Sequence, residues 1–202
     1  LVQEIRYTRD MPDARSNVSD PKVLRALAHG VRNRILSELS AVGPMRAADL
    51  AAALDIPANQ ASFHLRTLAK YGLIVEAPEE ARDGRDRVWK PALDRGVSIS
   101  LKEIEAAPGG DAVSAFLRHD VGQRAHEAVD SATAHNREDD IHISISDIAL
   151  RLTKDEAEQL ALELTDLADQ WRDRTKGRGT DRRTYALLQI LQPHPGVGHE
   201  AD

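Results

Sequence analysis

The sequence predicts a mainly helical α+β fold, in which a helical N-terminal half ends in a small hairpin and a helix-strand-helix-strand unit follows. Three observations predict it. Apolar residues recur at three- and four-residue spacing from Val23 to Leu68. Two short strand-like runs flank a charged loop directly behind that stretch. Beyond a linker come a long helical pattern, a strictly alternating run, a capped helix and a final apolar run.

In order along the chain, Ser19-Asp20-Pro21 opens the first helix, with a polar cap and then Pro where its missing N–H does no harm. Val23, Leu24, Leu27 and Ala28 share one face of it. A second helix spans Val31 to Ala41 through Val31, Ile35, Leu36 and Leu39, and Gly43-Pro44 stops it. Arg46–Leu54 and Ala58–Tyr71 are the third and fourth helices, and Gly72 suits a C-terminal cap. The period then shortens. Leu73–Ala77 and Arg87–Lys90 read as strands around a loop from Pro78 to Asp86, a hairpin with a charged tip. Helices three and four followed by such a hairpin make a winged helix.

Pro91–Ser100 reads as a linker. Gly109-Gly110 introduces a helix from Asp111 to about Asn136, with Val113, Phe116, Leu117, Val121, Ala125, Ala128 and Ala132 as its apolar positions. Ile141–Ser146 alternates as a half-buried strand does, and the slip to Ile148, Leu150 and Leu152 predicts a bulge near Ser146-Asp147. Thr153-Lys154-Asp155-Glu156 is a capping box, opening a helix whose Ala157, Leu160, Leu164, Leu167 and Trp171 share a face. A basic loop, Arg172–Arg183, leads to a last strand from Tyr185 to Gln192. The expected division is therefore an N-terminal arm (1–18), a winged helix-turn-helix unit (19–97), an α+β unit for dimerisation or sensing (98–193) and a disordered tail (194–202).

Composition narrows the chemistry. With 202 residues the chain can build one large core or two small ones. It has no cysteine, which removes disulfides, thiolate catalysis and thiolate-held metals together. No apolar run approaches the roughly 18 residues of a membrane span, and Leu1–Val18 shows no secretion signal. A cytoplasmic protein is the expectation. The net charge of −6 disguises an uneven distribution. Residues 1–97 carry 15 Lys/Arg against 13 Asp/Glu, and residues 98–202 carry 12 against 20. The acid lies away from the helix-turn-helix, and phosphate binding depends on where positive charge sits.

The fourth helix has a thin apolar side, Ala61, Leu65 and Leu68, opposite Asn59, Gln60, Ser62, Phe63, His64, Arg66 and Thr67. Preceded by the short Ala/Leu helix, it reads as the helix that enters a major groove. Gln60, Ser62 and Phe63 are expected at base edges, Gln through adenine and Phe against a thymine methyl. His64, Arg66 and Thr67 are expected at phosphates, where they fix register. In the hairpin, Arg85 and Arg87 could reach DNA, or belong to a salt-laced turn with Glu79, Glu80, Asp83 and Asp86.

Three segments resemble those of ArsR-type winged-helix regulators. They are Leu24-Arg25-Ala26-Leu27-Ala28-His29-Gly30-Val31-Arg32, Ser62-Phe63-His64-Leu65-Arg66-Thr67-Leu68 through Gly72-Leu73-Ile74, and Gly84-Arg85-Asp86-Arg87-Val88-Trp89-Lys90. Together they cover residues 20–92, under half of the chain. The resemblance implies a repressor acting on double-stranded DNA, and a homodimer is expected because one recognition helix reads only a few base pairs while two-fold pairing sets two half-sites about one helical turn apart. Four departures stand out. Arg46-Ala47-Ala48-Asp49 replaces the family's Cys-x-Cys sensor, Gly30 replaces a usual Pro, Pro57 stands where Ser or Thr usually caps the recognition helix, and Phe63 sits where a polar residue is commoner.

No cofactor and no metal site is expected. His119, Asp120, His126, Glu127 and Asp130 lie on the long helix as either an intersubunit metal site or a polar outer face. The apolar faces of 21–28 and 111–132 are the candidate subunit interface, and an unidentified small-molecule effector is a further candidate partner. No membrane partner is expected. The chain has no G-x-S-x-G, Walker A, GxGxxG or H-E-x-x-H, so no enzyme is read. The rival reading is a winged helix that binds protein without specific DNA binding. A hydrolase in the C-terminal half ranks behind both.

Overall fold

The apolar stripes of the N-terminal half converge on one cluster. The computed structural model describes residues 23, 26–27, 29–81, 86–93, 101–106, 108–135, 139–179 and 181–195. Of the first expected helix, Val23, Ala26 and Leu27 are described, and all three are helical. The rest of 19–28, like the arm 1–18 and the tail beyond 195, lies outside the described residues. Then follow α1 (Gly30–Val42), β1 (Met45–Arg46), α2 (Ala47–Leu54) and α3 (Ala58–Lys70). Next are β2 (Ile74–Glu76), a 3-10 turn (Pro78–Glu80) and β3 (Val88–Pro91). The remaining helices are α4 (Leu101–Ala106), α5 (Gly110–Thr133) and α6 (Lys154–Thr175).

The three strands form one antiparallel sheet in the order β1-β3-β2. Met45 and Arg46 pair with Trp89 and Val88, while Ile74, Val75 and Glu76 pair with Pro91, Lys90 and Trp89. This is a winged helix. Strand β1 falls within what the sequence reading gave to the linker and the start of helix three. Two residues have no period of their own, and only the free edge of β3 defines them as a strand. With Val88 and Trp89 both buried, β3 is the sheet's centre in packing as well as in order.

Ile35 and Leu39 on α1, Leu50 and Leu54 on α2, and Leu65 and Leu68 on α3 meet Leu73, Ile74 and Trp89 in a single core. Fully burying one such side chain is worth about 1.5–3 kcal/mol. Ends are secured by polar contacts. Arg34 donates to the Leu54 carbonyl (2.8 Å) at the end of α2, and the Gly43 N–H donates to Leu39 (3.0 Å) at the end of α1. After α3, Gly72 takes a left-handed conformation (φ 69°), its N–H donating to Ala69 and that of Leu73 to Leu68, both at 3.0 Å. That is a Schellman motif, with Leu68 and Leu73 as its apolar contact.

The core does not stop at the expected boundary between residues 97 and 98. Ile104 of α4 and Val113 and Leu117 of α5 belong to the same cluster. The helix over Leu101–Ala106, absent from the sequence reading, is a short turn whose period is too brief to detect. Gly110 makes its junction with α5 possible, because a Cβ there would lie 1.6 Å from the Ile104 carbonyl oxygen. Ala26, Leu27, Val113 and Leu117 are thus buried inside the chain, while Phe116 and Ala128 of the faces expected at a subunit interface stay exposed.

The C-terminal half differs most from expectation. The capping box is present as read: Thr153 Oγ1 accepts from the Glu156 N–H (3.2 Å), and the Glu156 carboxylate accepts from the Thr153 N–H (2.7 Å). Helix α6 runs on to Thr175, so Arg172 and Arg174 are helical rather than part of a loop. The runs expected as strands, 141–146 and 185–192, carry no ladder among the described residues. At its end α6 touches the winged helix, where the Gly177 N–H donates to the Val42 carbonyl (3.0 Å). Among the described residues no helix is long and apolar enough to cross a membrane.

Candidate nucleic-acid interface

Helix α3 is amphipathic in a way that leaves a polar stripe outside. Ala61, His64, Leu65 and Leu68 are buried at three- and four-residue spacing. On the other side Asn59, Phe63, Arg66 and Lys70 are exposed, also at steps of three and four, and so form one line along the helix. Gln60, Ser62 and Thr67 flank that line, half-buried. Phe63 is 57% exposed, so its ring stands out from the helix and is open to contact. The stripe contains no carboxylate. Lys70 was not singled out in the sequence, yet its spacing from Arg66 and Phe63 places it on the same line.

The helix begins at Pro57 with no side-chain cap, as the sequence implied. Asn59 Oδ1 accepts from the Gln60 N–H (2.9 Å), so that side chain is turned back on its own helix. An uncapped N-terminus presents amide donors and the positive end of the helix dipole to an anion. The hydroxyls of Ser62 and Thr67 donate to the carbonyls of Ala58 (2.9 Å) and Phe63 (3.0 Å). Each hydroxyl has a single proton, so a phosphate contact requires that rotor to leave the helix carbonyl.

His64 corrects the reading. It is 4% exposed, its ring 4.6 Å from that of His29 and edge-on to Phe63 at 5.4 Å. It faces the junction with α1 rather than a phosphate. The residue's position in an otherwise polar run concealed this, although its place one turn after Ala61 agrees with the buried side. Nδ1 of both His29 and His64 is buried with no hydrogen-bond partner among the described residues. Burial first, and then the charge of Arg32 beside it, holds the His29 imidazole below its ordinary range. Burial likewise holds His64 low, with His29 and Arg32 adding to the effect.

The hairpin is electrically mixed. Arg87 is exposed and lies 3.7 Å from Glu76, and Lys90 lies 2.6 Å from Glu79. The hydrogen bond from Lys90 keeps the Glu79 carboxyl below its usual range. Arg85, with the rest of 82–85, lies outside the described residues. At the root of the hairpin Arg46 holds Asp49 at 2.7 Å and Asp86 at 3.5 Å, tying α2 to the strand entry.

Of the residues noted on the long helix, Asp120 bonds to Arg124 (3.1 Å) and accepts from Asn33 (3.3 Å), linking α5 to α1. The His126 ring contacts its own helix at Gly122 (2.9 Å). Among the described residues, no three of His, Asp and Glu gather to hold a metal ion.

Residues 27–77 match the family model described as a helix-turn-helix domain, a span from the first helix through β2. No curated protein matches the chain. Among solved structures, it is similar to the homodimeric winged helix-turn-helix DNA-binding domain, fragment 1–100, of a candidate ArsR-family regulator from Mycobacterium bovis. Identity is 24%, coverage is 58% of this chain and 88% of that one, and the TM-score is 0.33. At that score the likeness fixes neither the ligand nor the assembly of this chain. The observed sheet and helices, with the matched span, define a winged helix-turn-helix protein, the architecture of DNA-binding transcription regulators. The three segments quoted above keep its likeness to the ArsR type.

Proposed function

We propose that the chain is a transcription regulator that binds double-stranded DNA as a homodimer and represses by occupying a promoter. The line Asn59–Phe63–Arg66–Lys70 carries this reading, because it is exposed, free of carboxylate and borne on a helix whose other side is locked in the core. Phe63 meets a thymine methyl and Gln60 an adenine edge, while Arg66, Lys70 and the open N-terminus of α3 meet phosphates. One such helix reads only a few base pairs. Two copies about one duplex turn apart supply the remaining specificity. The wing adds little, since its described cations face carboxylates, so affinity is modest and its salt dependence shallow. The reading places the protein in the cytoplasm, with or without a small-molecule effector.

The ion pairs Arg87–Glu76 and Lys90–Glu79 are the observation that favours the rival reading, a winged helix used to bind protein. Gel shift on genomic fragments at moderate salt decides. A specific complex that Phe63→Ala weakens without lowering thermal stability supports the DNA reading. Absence of any specific complex supports the rival.

A further inference from the structure

The C-terminal half contains two long extended runs, 141–152 and 184–192, that nothing among the described residues completes. None of their backbone groups bonds to another backbone group there. Their side chains are equally open: Ile148 is 73% and Leu187 71% exposed, and Ile145, Leu150 and Ile190 are also exposed. Helix α6, which joins the two runs, has 22 residues and buries none of them. Extended apolar backbone with unpaired amides is a template for another strand, and soluble proteins cover such edges.

The two runs cannot simply pair with each other where they stand. Arg183 meets Asp140 at 3.0 Å, and Tyr185 accepts through its hydroxyl from the His142 N–H at 3.2 Å. Both contacts advance by two residues on each run, so the runs point the same way, as a strand-helix-strand unit requires. But the bridge is a side chain. Neighbouring strands lie roughly 4.8 Å apart and bond backbone to backbone, whereas among the described residues these two runs share no backbone hydrogen bond. A strand entering between them would displace the Tyr185–His142 contact.

We propose that a second copy of this chain supplies that strand, in a four-stranded antiparallel sheet with residues 141–152 of the two copies paired at the two-fold axis. Residues 184–192 of each copy then lie outside, against the other copy's 141–152. This deepens the homodimer part of the function proposed above and rests on it. The order follows from the geometry: a strand inserted between two parallel runs is antiparallel to both, and the two-fold axis repeats the arrangement. Charge agrees. The central run carries Asp147 and Arg151, with Asp139 and Asp140 just before it and Lys154 just after, so antiparallel copies bring the two leading acids of one toward Arg151 and Lys154 of the other. Exposure agrees too. Ile145, Ile148, Leu150, Tyr185, Leu187 and Ile190 are each more than half exposed, an apolar surface of the kind that soluble chains cover with a partner.

The test is sedimentation of the full chain over a concentration series, with amide hydrogen exchange at both ends of it. The expected result is a dimer in which amides within 141–152 and 184–192 exchange at least about 100-fold slower than free chain and lose that protection on dilution. Ile148→Asp should shift the protein to monomer while the far-UV spectrum and the protection of α1 and α3 stay. A monomer at every concentration overturns the proposal. So does a dimer whose two runs exchange freely, or protection that ignores dilution and Ile148→Asp alike. None of these readouts uses DNA, so failure of DNA binding and failure of this assembly are seen separately.

Discussion

The pairing of buried His64 with half-buried His29 gives the sharpest handle on α3. The His29 and His64 rings lie 4.6 Å apart, tilted by 53°, each with an Nδ1 that has no hydrogen-bond partner among the described residues, and Arg32 stands nearby. Protonating either ring places a charge in a site that burial already makes costly; Arg32 makes it worse for both, and His29 makes it worse for His64. Both rings therefore bind a proton more weakly folded than unfolded, where the ordinary value is 6.5. The sign follows: stability is full above that value and falls as pH drops from it toward the lowered folded values. Each ring contributes a slope of up to about 1.4 kcal/mol per pH unit, so the pair contributes up to about 2.7 where both titrate. That is large against a typical total of 5–15 kcal/mol. Urea melts from pH 7.5 to 5 measure it. His64→Phe keeps an aromatic ring and should remove about half of the slope. Glu156, held below its ordinary 4.5 by the bonds from Thr153, contributes its own acid sensitivity only below that value, so the windows separate. Melts that are flat from pH 7 to 5.5, or an unchanged slope in His64→Phe, would refute the reasoning.

Further outcomes follow from other positions. Gly110→Ala should lower stability by about 1–3 kcal/mol or more in chemical denaturation, because its Cβ would meet the Ile104 carbonyl at 1.6 Å and α4 must move to admit it. Gly30→Pro should raise stability by about 0.4–1 kcal/mol in the same assay. Residue 30 opens α1, open space surrounds it, and His29 already has the extended backbone that precedes Pro comfortably. Arg66→Ala should weaken binding to all DNA sequences alike and reduce the salt slope by about one unit, whereas Gln60→Ala should relax preference at one position, both read by titration against a panel of duplexes. Identical behaviour of the two variants would contradict the division of labour along α3.

How far the sequence revealed these features depended on how local each one is. Leu50, Leu54, Leu65 and Leu68 lie on full helical periods, and their inward faces were legible at once. The same holds for the Thr153–Glu156 capping box and the Gly72 stop, each written in adjacent residues. Strand β1 and helix α4 were not legible, because two and six residues give too little pattern and their partners lie far away in the chain. His64 misled because one polar side chain on the buried face looks like its polar neighbours. What hides it is His29, 35 positions earlier. Residues 141–146 alternate as a strand does, yet alternation says nothing about which chain provides the neighbour.

Selection of bound duplexes from a random DNA pool, with wild type and Phe63→Ala in parallel, addresses the central claim most directly. The account predicts a two-fold symmetric motif with half-site centres about 10 base pairs apart, and loss of preference at a thymine position in the variant. Recovery of no motif, or of one that Phe63→Ala, Gln60→Ala and Arg66→Ala all leave intact, would contradict it.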